Sequence, residues 1–251
     1  MDTEELRRFV REAGFVFRGR VLERHTRQAP PVPRDAGEVV AAHIEEVVRS
    51  TDALRGLAGH SAFILSRNDT ALRRSHPLFF FTDILSVGHD LLLRDIAAVE
   101  ATPETSGQLA EAIRVEHERP LRERVAAAEL IVVGEVVESR VFERPFPPPS
   151  EHYADWGLAR VAISAALKGS KRRGNIDVLF ADSVDHVWFR SPKLHRGVRG
   201  ILLLSRAEKG EHLPRELPQG CYQALDPLDL QPVERRAEIE RLIGGDGGEE
   251  H

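Results

Sequence analysis

Leu6–Glu23, LRRFVREAGFVFRGRVLE, returns 115 residues later as Leu121–Glu138, LRERVAAAELIVVGEVVE, with no gap between the two. Seven of the eighteen positions are identical: Leu6/Leu121, Arg7/Arg122, Val10/Val125, Ala13/Ala128, Gly19/Gly134, Val21/Val136 and Glu23/Glu138. Phe15, Val16, Phe17 and Leu22 stand opposite Leu130, Ile131, Val132 and Val137, apolar against apolar. A repeat of this kind has to be read before any fold, because it makes the chain one unit written twice.

Each copy opens with an amphipathic helix, since Leu6, Phe9, Val10 and Ala13 fall on one helical face, as do Leu121, Val125 and Ala128. A strand follows at once, Phe15–Leu22 or Leu130–Val137. Its internal glycine, Gly19 or Gly134, marks a bulge or bend. Proline-rich loops come next, Gln28–Arg34 and Arg144–Ser150, because proline cannot donate to a ladder and favours extended backbone. Period-two patterning then predicts strands at Val39–Val48 and Leu158–Leu167. Turns ending in Gly59 and Gly174 lead to strands Ser61–Leu65 and Ile176–Phe180. The apolar runs Leu78–Phe81 and Ile201–Leu204 pair in the same order. The last strands, Leu91–Val99 and Tyr222–Leu230, pair less cleanly. Both copies close on a proline at a helix start, Pro103 and Pro232.

The expected fold is mainly β with flanking helices: two tandem OB-like five-stranded β-barrels. The first repeat with its N-terminal helix takes residues 1–102. Residues 103–128 form a helical linker, broken into two helices by Pro120. The second repeat with its C-terminal helix takes residues 129–243, and the glycine-rich tail 244–251 is expected to be disordered.

Bulk properties exclude several classes. The chain has 251 residues, 41% hydrophobic and 30% charged, with net charge −5. That balance gives no wide cationic field for nucleic acid or an anionic membrane. No run approaches the roughly 18 apolar residues of a membrane-spanning helix, and the charged N-terminus does not read as a secretory signal. The single cysteine, Cys221, excludes an internal disulfide and fits a reducing compartment, so a cytoplasmic location is expected.

The second copy reads AAELIVVGEVVES, GLARVAISAALKGS, GNIDVLFAD, HRGVRGILLLSRAE and CYQALDPLDLQPVE. These segments, within Glu129–Val233, resemble the netrin/tissue-inhibitor-of-metalloprotease-like (NTR-like) OB-fold. The first copy carries a weaker version, with Val48-Arg49-Ser50 where the second has Leu167-Lys168-Gly169. The resemblance implies a fold and no particular activity. The disulfides and N-terminal cysteine of the protease-inhibiting members are absent, so inhibition of that kind is not carried over.

Few residues recommend themselves for chemistry. Cys221 begins an apolar strand, where a buried thiol is commoner than a nucleophile. No close ligand pair of the H-x-x-x-H or C-x-x-C type occurs. A weak metal candidate is Asp182, Asp185 and His186 in a loop, although acidic loop residues usually form solvated turns. A basic turn (Lys168, Lys171, Arg172, Arg173) and a later basic segment (Arg190, Lys193, His195, Arg196, Arg199) could join aromatics to hold a single strand. Phosphate-loop and hydrolase signatures are missing.

The proline-rich loops are the best candidates for contact: Pro30, Pro31 and Pro33 in the first copy, and Phe142, Phe146, Pro147, Pro148, Pro149, Tyr153 and Trp156 in the second. A stiff proline-aromatic loop loses little entropy on docking; alternatively its aromatics fold back to cap the barrel. The expectation is a non-enzymatic interaction or scaffold protein without cofactor, contacting a protein partner or a second copy of itself. A single-stranded nucleic-acid binder is the first alternative and a metal-dependent enzyme the second.

Overall fold

The computed structural model describes residues 2–24, 37–66, 76–86, 90–145, 148–170, 173–208, 213–214 and 216–245. Two compact units divide the chain, Met1–Glu118 and Arg119–His251.

The first unit opens with α1 (Thr3–Glu12). Asp2 caps it by accepting from the Glu4 backbone N–H, and Glu4 and Glu5 in its first turn complement the helix dipole. Five strands follow: β1 (Phe15–Arg24), β2 (Glu38–Arg49), β3 (Ser61–Ser66), β4 (Leu78–Ser86) and β5 (Leu92–Glu100). They close into a barrel in the order β1-β2-β3-β5-β4, with β3 and β5 parallel and the other pairs antiparallel. Alternation along each strand sends Phe15, Phe17, Val40, Ala42, Ile44, Ala62, Ile64, Phe80 and Leu93 inward. Stacked rings of Phe15, Phe17 and Phe80, with centroids 5.3 and 4.9 Å apart, fill the middle. The opposite faces of β1 and β4 offer Val16, Phe79 and Phe81 to Leu6, Val10 and Ala13 of the opening helix and to Leu109 and Ala112 of the closing one.

The second unit repeats this. Its strands are β6 (Leu130–Val141), β7 (Trp156–Lys168), β8 (Gly174–Ala181), β9 (Arg199–Arg206), β10 (Tyr222–Gln223) and β11 (Leu230–Gln231), followed by α3 (Arg236–Gly245). The short β10 lies parallel to β8 and antiparallel to β9, which closes the barrel. Ile131, Ile201 and Leu203 outside it receive Leu121, Val125 and Ala128 on one side and Ile239 and Leu242 on the other.

The two registers correspond residue by residue. Gly19 faces Ile44 and Gly134 faces Ile163, and the three bulges between β1 and β2 recur at matching places between β6 and β7. A Cβ on Gly19 would sit 2.2 Å from the carbonyl oxygen of His43; one on Gly134 would sit 2.8 Å from that of Ala162, the matching residue. Glycine stands at both positions because two backbones approach there too closely for any side chain. Phe17 pairs with Phe80 as Val132 pairs with Leu202, and Ile64 with Leu93 as Val178 with Tyr222. The two modules therefore share one strand layout and register.

Some expectations need correction. His43 pairs with Ser61 and Ala162 with Asn175, so Gly59 corresponds to Arg173 and Gly174 lies one residue further on. The last strand of the second copy is not continuous. Tyr222 and Gln223 match Leu93 and Arg94, while Leu230 and Gln231 match Ala98 and Val99, and the longer segment between them loops out. There Asp229 accepts from the backbone N–H groups of Leu225 and Asp226 at 2.8 and 2.9 Å, and from Arg124. Gly244 and Gly245 belong to α3, not to a disordered tail; residues 246–251 lie outside the described ones.

Pro120 does not break the helical segment. Residues Pro103–Ala127 form one 25-residue helix, α2, with Pro120 inside it. Proline costs a helix one backbone hydrogen bond. Here burial on both sides of it outweighs that cost: Leu109 and Ala112 in the first unit, Leu121 and Val125 in the second. The expected linker thus closes one module and opens the next. Arg11 on α1 holds the first part with a two-pronged pair to Glu116, at 3.1 and 2.9 Å.

Candidate functional site

At one end of the second barrel the segment after β6 meets the segment after β8. The Phe142 N–H donates to the Trp156 carbonyl at 2.8 Å and the Asp182 N–H to that of Asp155 at 2.7 Å, which stitches the loops to the strand ends. Beneath them Phe142, Tyr153, Ala154, Trp156, Leu158, Leu179, Ala181 and Cys221 form a buried cluster with Trp188 against it. Trp156 meets Trp188 edge-on at 5.5 Å and Tyr153 at 6.5 Å. Phe142, Tyr153 and Trp156 are thus cap residues, and their rings are not offered to a partner. Pro148 and Pro149 are exposed. Pro30, Pro31, Pro33, Phe146 and Pro147 lie outside the described residues.

The 182–198 segment is held from within. Lys193 Nζ donates to the carbonyls of Ala181, Ser183 and Trp188 at 2.5, 2.9 and 2.9 Å, which uses all three of its protons. Burial pulls its pKa down, against the opposing charge of Asp182. Asp185 shapes the turn: Oδ1 accepts from the Val187 N–H at 2.9 Å, and its own N–H donates to Ser183 Oγ at 3.2 Å. Those bonds, led by the Val187 N–H and followed by His152, hold the Asp185 carboxyl below the usual carboxylate range. Above this frame Val184, Phe189 and Val187 project into solvent, 93%, 56% and 48% exposed. The Arg190 guanidinium lies 5.4 Å from the Phe189 ring centroid.

The expected trio of Asp182, Asp185 and His186 does not come together. Asp182 turns to His195, at 3.2 Å. Its place is taken by His152 from the proline-rich segment, whose Nδ1 lies 3.1 Å from Asp185 Oδ2. His186 Nδ1 lies 3.5 Å from Asp185 Oδ1, and the two imidazoles meet edge-to-face at 4.6 Å. One ligating atom from each of the three residues falls within 4.8 Å of the others. Nothing near Asp185 in the sequence signals His152, because only the barrel closure brings the two loops together.

Cys221 is buried, with Sγ 3.1 Å from the Tyr222 carbonyl and 3.4 Å from that of Asp177. Desolvation pushes its thiol up to about 11, which removes the thiolate a nucleophile needs. Two of the basic candidates also have structural duties. Lys168 donates to the carbonyls of Val125 and Ala126, and Arg199 pairs with Glu135 at 2.7 Å. Lys171 and Arg172 lie outside the described residues. Among the described residues no helix is long and apolar enough to cross a membrane. Compared with known protein families and with curated proteins, the chain finds no match in either.

Proposed function

We propose that this is a non-catalytic interaction protein of NTR-like kind, acting in the cytoplasm, whose second barrel contacts a protein partner or a second copy through the end carrying Val184, Val187 and Phe189. One observation carries this: three large apolar side chains stand in solvent on a turn braced from below by Lys193 and Trp188. A turn that is already ordered loses little entropy on docking, and an exposed aromatic beside aliphatic groups is the usual make-up of an interface centre. Exposed Pro148 and Pro149 sit on the neighbouring segment, tied to the turn by the Trp188 indole N–H on the His152 carbonyl at 2.8 Å. The nucleic-acid alternative draws less support, since Lys168, Lys193 and Arg199 are committed to internal contacts.

The test compares the native chain with Val184→Ser/Phe189→Ser, two exposed positions whose replacement leaves the buried cluster intact. Sedimentation reads self-association, and quantitative affinity isolation from the native cell reads partners. Loss of the dimer, or of one stoichiometric partner, in the variant supports the reading. Identical mass and identical partners in both proteins, or a salt-dependent complex of the native chain with an unstructured oligonucleotide, would overturn it.

A further inference from the structure

The geometry points to a divalent transition-metal site, of the zinc class, formed by His152, Asp185 and His186 at the end of the second barrel. The donor set is two imidazoles and one carboxylate, which suits zinc and its neighbours and disfavours calcium or magnesium. Spacing agrees. Zinc at about 2.0–2.2 Å from nitrogen and oxygen ligands sets neighbouring ligand atoms about 3.3 Å apart. His152 Nδ1 lies 3.1 Å from Asp185 Oδ2 and His186 Nδ1 lies 3.5 Å from Oδ1, one imidazole to each carboxylate oxygen, and one ligating atom from each residue falls within 4.8 Å of the others.

The site is oriented before any ion arrives. The Asp185 carboxylate is fixed by the Val187 N–H and its backbone by Ser183 Oγ, so the anionic ligand is aimed by the turn that contains it. His152 is brought in by its own backbone, whose carbonyl accepts the Trp188 indole proton. His186 is set by its contact with Asp185 Oδ1 at 3.5 Å and by the edge of the His152 ring. His152 and His186 are 45% and 73% exposed, which leaves entry to the ion and a fourth position for water or for a donor from another molecule. An ion there would staple the proline-rich segment to the 182–190 turn. It would add a covalent-like link beside the Asp182–Asp155 backbone bond, the indole–carbonyl bond and the imidazole–carboxylate bond that already cross. This reading is independent of what, if anything, docks on Val184 and Phe189.

The experiment is a zinc chloride titration of the full chain after chelator treatment, read by calorimetry and by tryptophan emission. The only tryptophans of the chain are Trp156 and Trp188, which both belong to this cap. One equivalent is expected to bind with a Kd of about 10 µM or tighter, to change the emission and to raise the melting temperature. His152→Ala and His186→Ala, both at exposed positions, should each weaken binding at least about tenfold. His195→Ala, which removes the pair with Asp182 and the ring contact with Phe180 but no proposed ligand, should bind as the native chain does. Absence of binding by the native chain, unchanged affinity in the His152/His186 double variant, or equal weakening by His195→Ala would each overturn the assignment.

Discussion

Lys168 and Val125 are joined by a hydrogen bond from Nζ to the backbone carbonyl, 2.9 Å long, with a second to Ala126 at 2.7 Å. In the other half Arg49, at the matching strand end, donates to the carbonyl of Val10, the residue matching Val125. Each cation closes the last turn of its module's opening helix, where carbonyls lack partners and the helix dipole is negative. The Leu167-Lys168-Gly169 motif therefore anchors a helix to a barrel. Gly169 serves the same joint: its φ is +91°, and a Cβ there would lie 2.7 Å from the Glu129 carbonyl oxygen.

Replacing Lys168 by Met should destabilise the second unit by about 1–2 kcal/mol, the worth of charge-assisted bonds to otherwise unpaired carbonyls. Lys168→Arg should recover most of it, since the first module already uses arginine. Urea denaturation read by tryptophan emission reports this unit alone; an unchanged midpoint for the Met variant would contradict the anchoring role.

Gly19→Ala and Gly134→Ala should be unequal. At Gly19 the new methyl meets the His43 carbonyl oxygen at 2.2 Å and the Phe17 ring at 3.0 Å; at Gly134 it meets the movable Val161 methyl at 2.7 Å and a carbonyl at 2.8 Å. Both should cost about 3 kcal/mol or more, with Gly19→Ala the worse, because strand backbone cannot step aside without losing its ladder. Soluble yield and denaturant midpoints decide the ranking.

Much of this was legible in the chain itself. The gap-free match of Leu6–Glu23 to Leu121–Glu138 already places both glycines, both helix stripes and both first strands, because these depend on local periodicity. The interrupted strand at Leu225–Asp229 was not legible. An apolar run such as CYQALDPLDL carries no mark of which residues a distant strand leaves unpaired. His152 was missed for the same reason: its partner lies 33 residues on, and only tertiary closure sets the distance. Pro120 misled because a proline's local cost is visible in sequence, whereas the burial that outweighs it is not.

Cys221 should resist alkylation in the native chain. With its thiol at about 11, iodoacetamide at pH 8 should modify it far more slowly than in urea. Comparable rates in both conditions would mean that the cap around Cys221 opens readily.

Asp95 costs the first unit stability once its carboxyl ionises. Burial lifts its carboxyl above the ordinary 3.8, and the Ser66 hydroxyl, donating at 2.9 Å, only partly offsets this. Its Oδ1 has no hydrogen-bond partner among the described residues. With the folded pKa above the unfolded one, the folded state holds its proton longer, so this group's contribution to stability falls as pH rises from about 4. Asp95→Asn should accordingly be more stable than the native chain at pH 7 and lose that advantage near pH 3.5. A difference independent of pH would refute it.

Lys193→Met takes one donor from each of three carbonyls, of which that of Trp188 still accepts the Ser191 N–H, and should shift the emission of Trp188 toward that of a solvated indole. An unshifted spectrum would mean that the turn is held by other bonds.

The 25 residues of α2 have a bearing on how the molecule is made. Starting a helix is costly and lengthening it is cheap. During synthesis the outer face of the earlier barrel, by packing on Leu109 and Ala112, holds a helix already started before Leu121 and Val125 are added to it. The opening helix of the second module is thereby spared its nucleation cost.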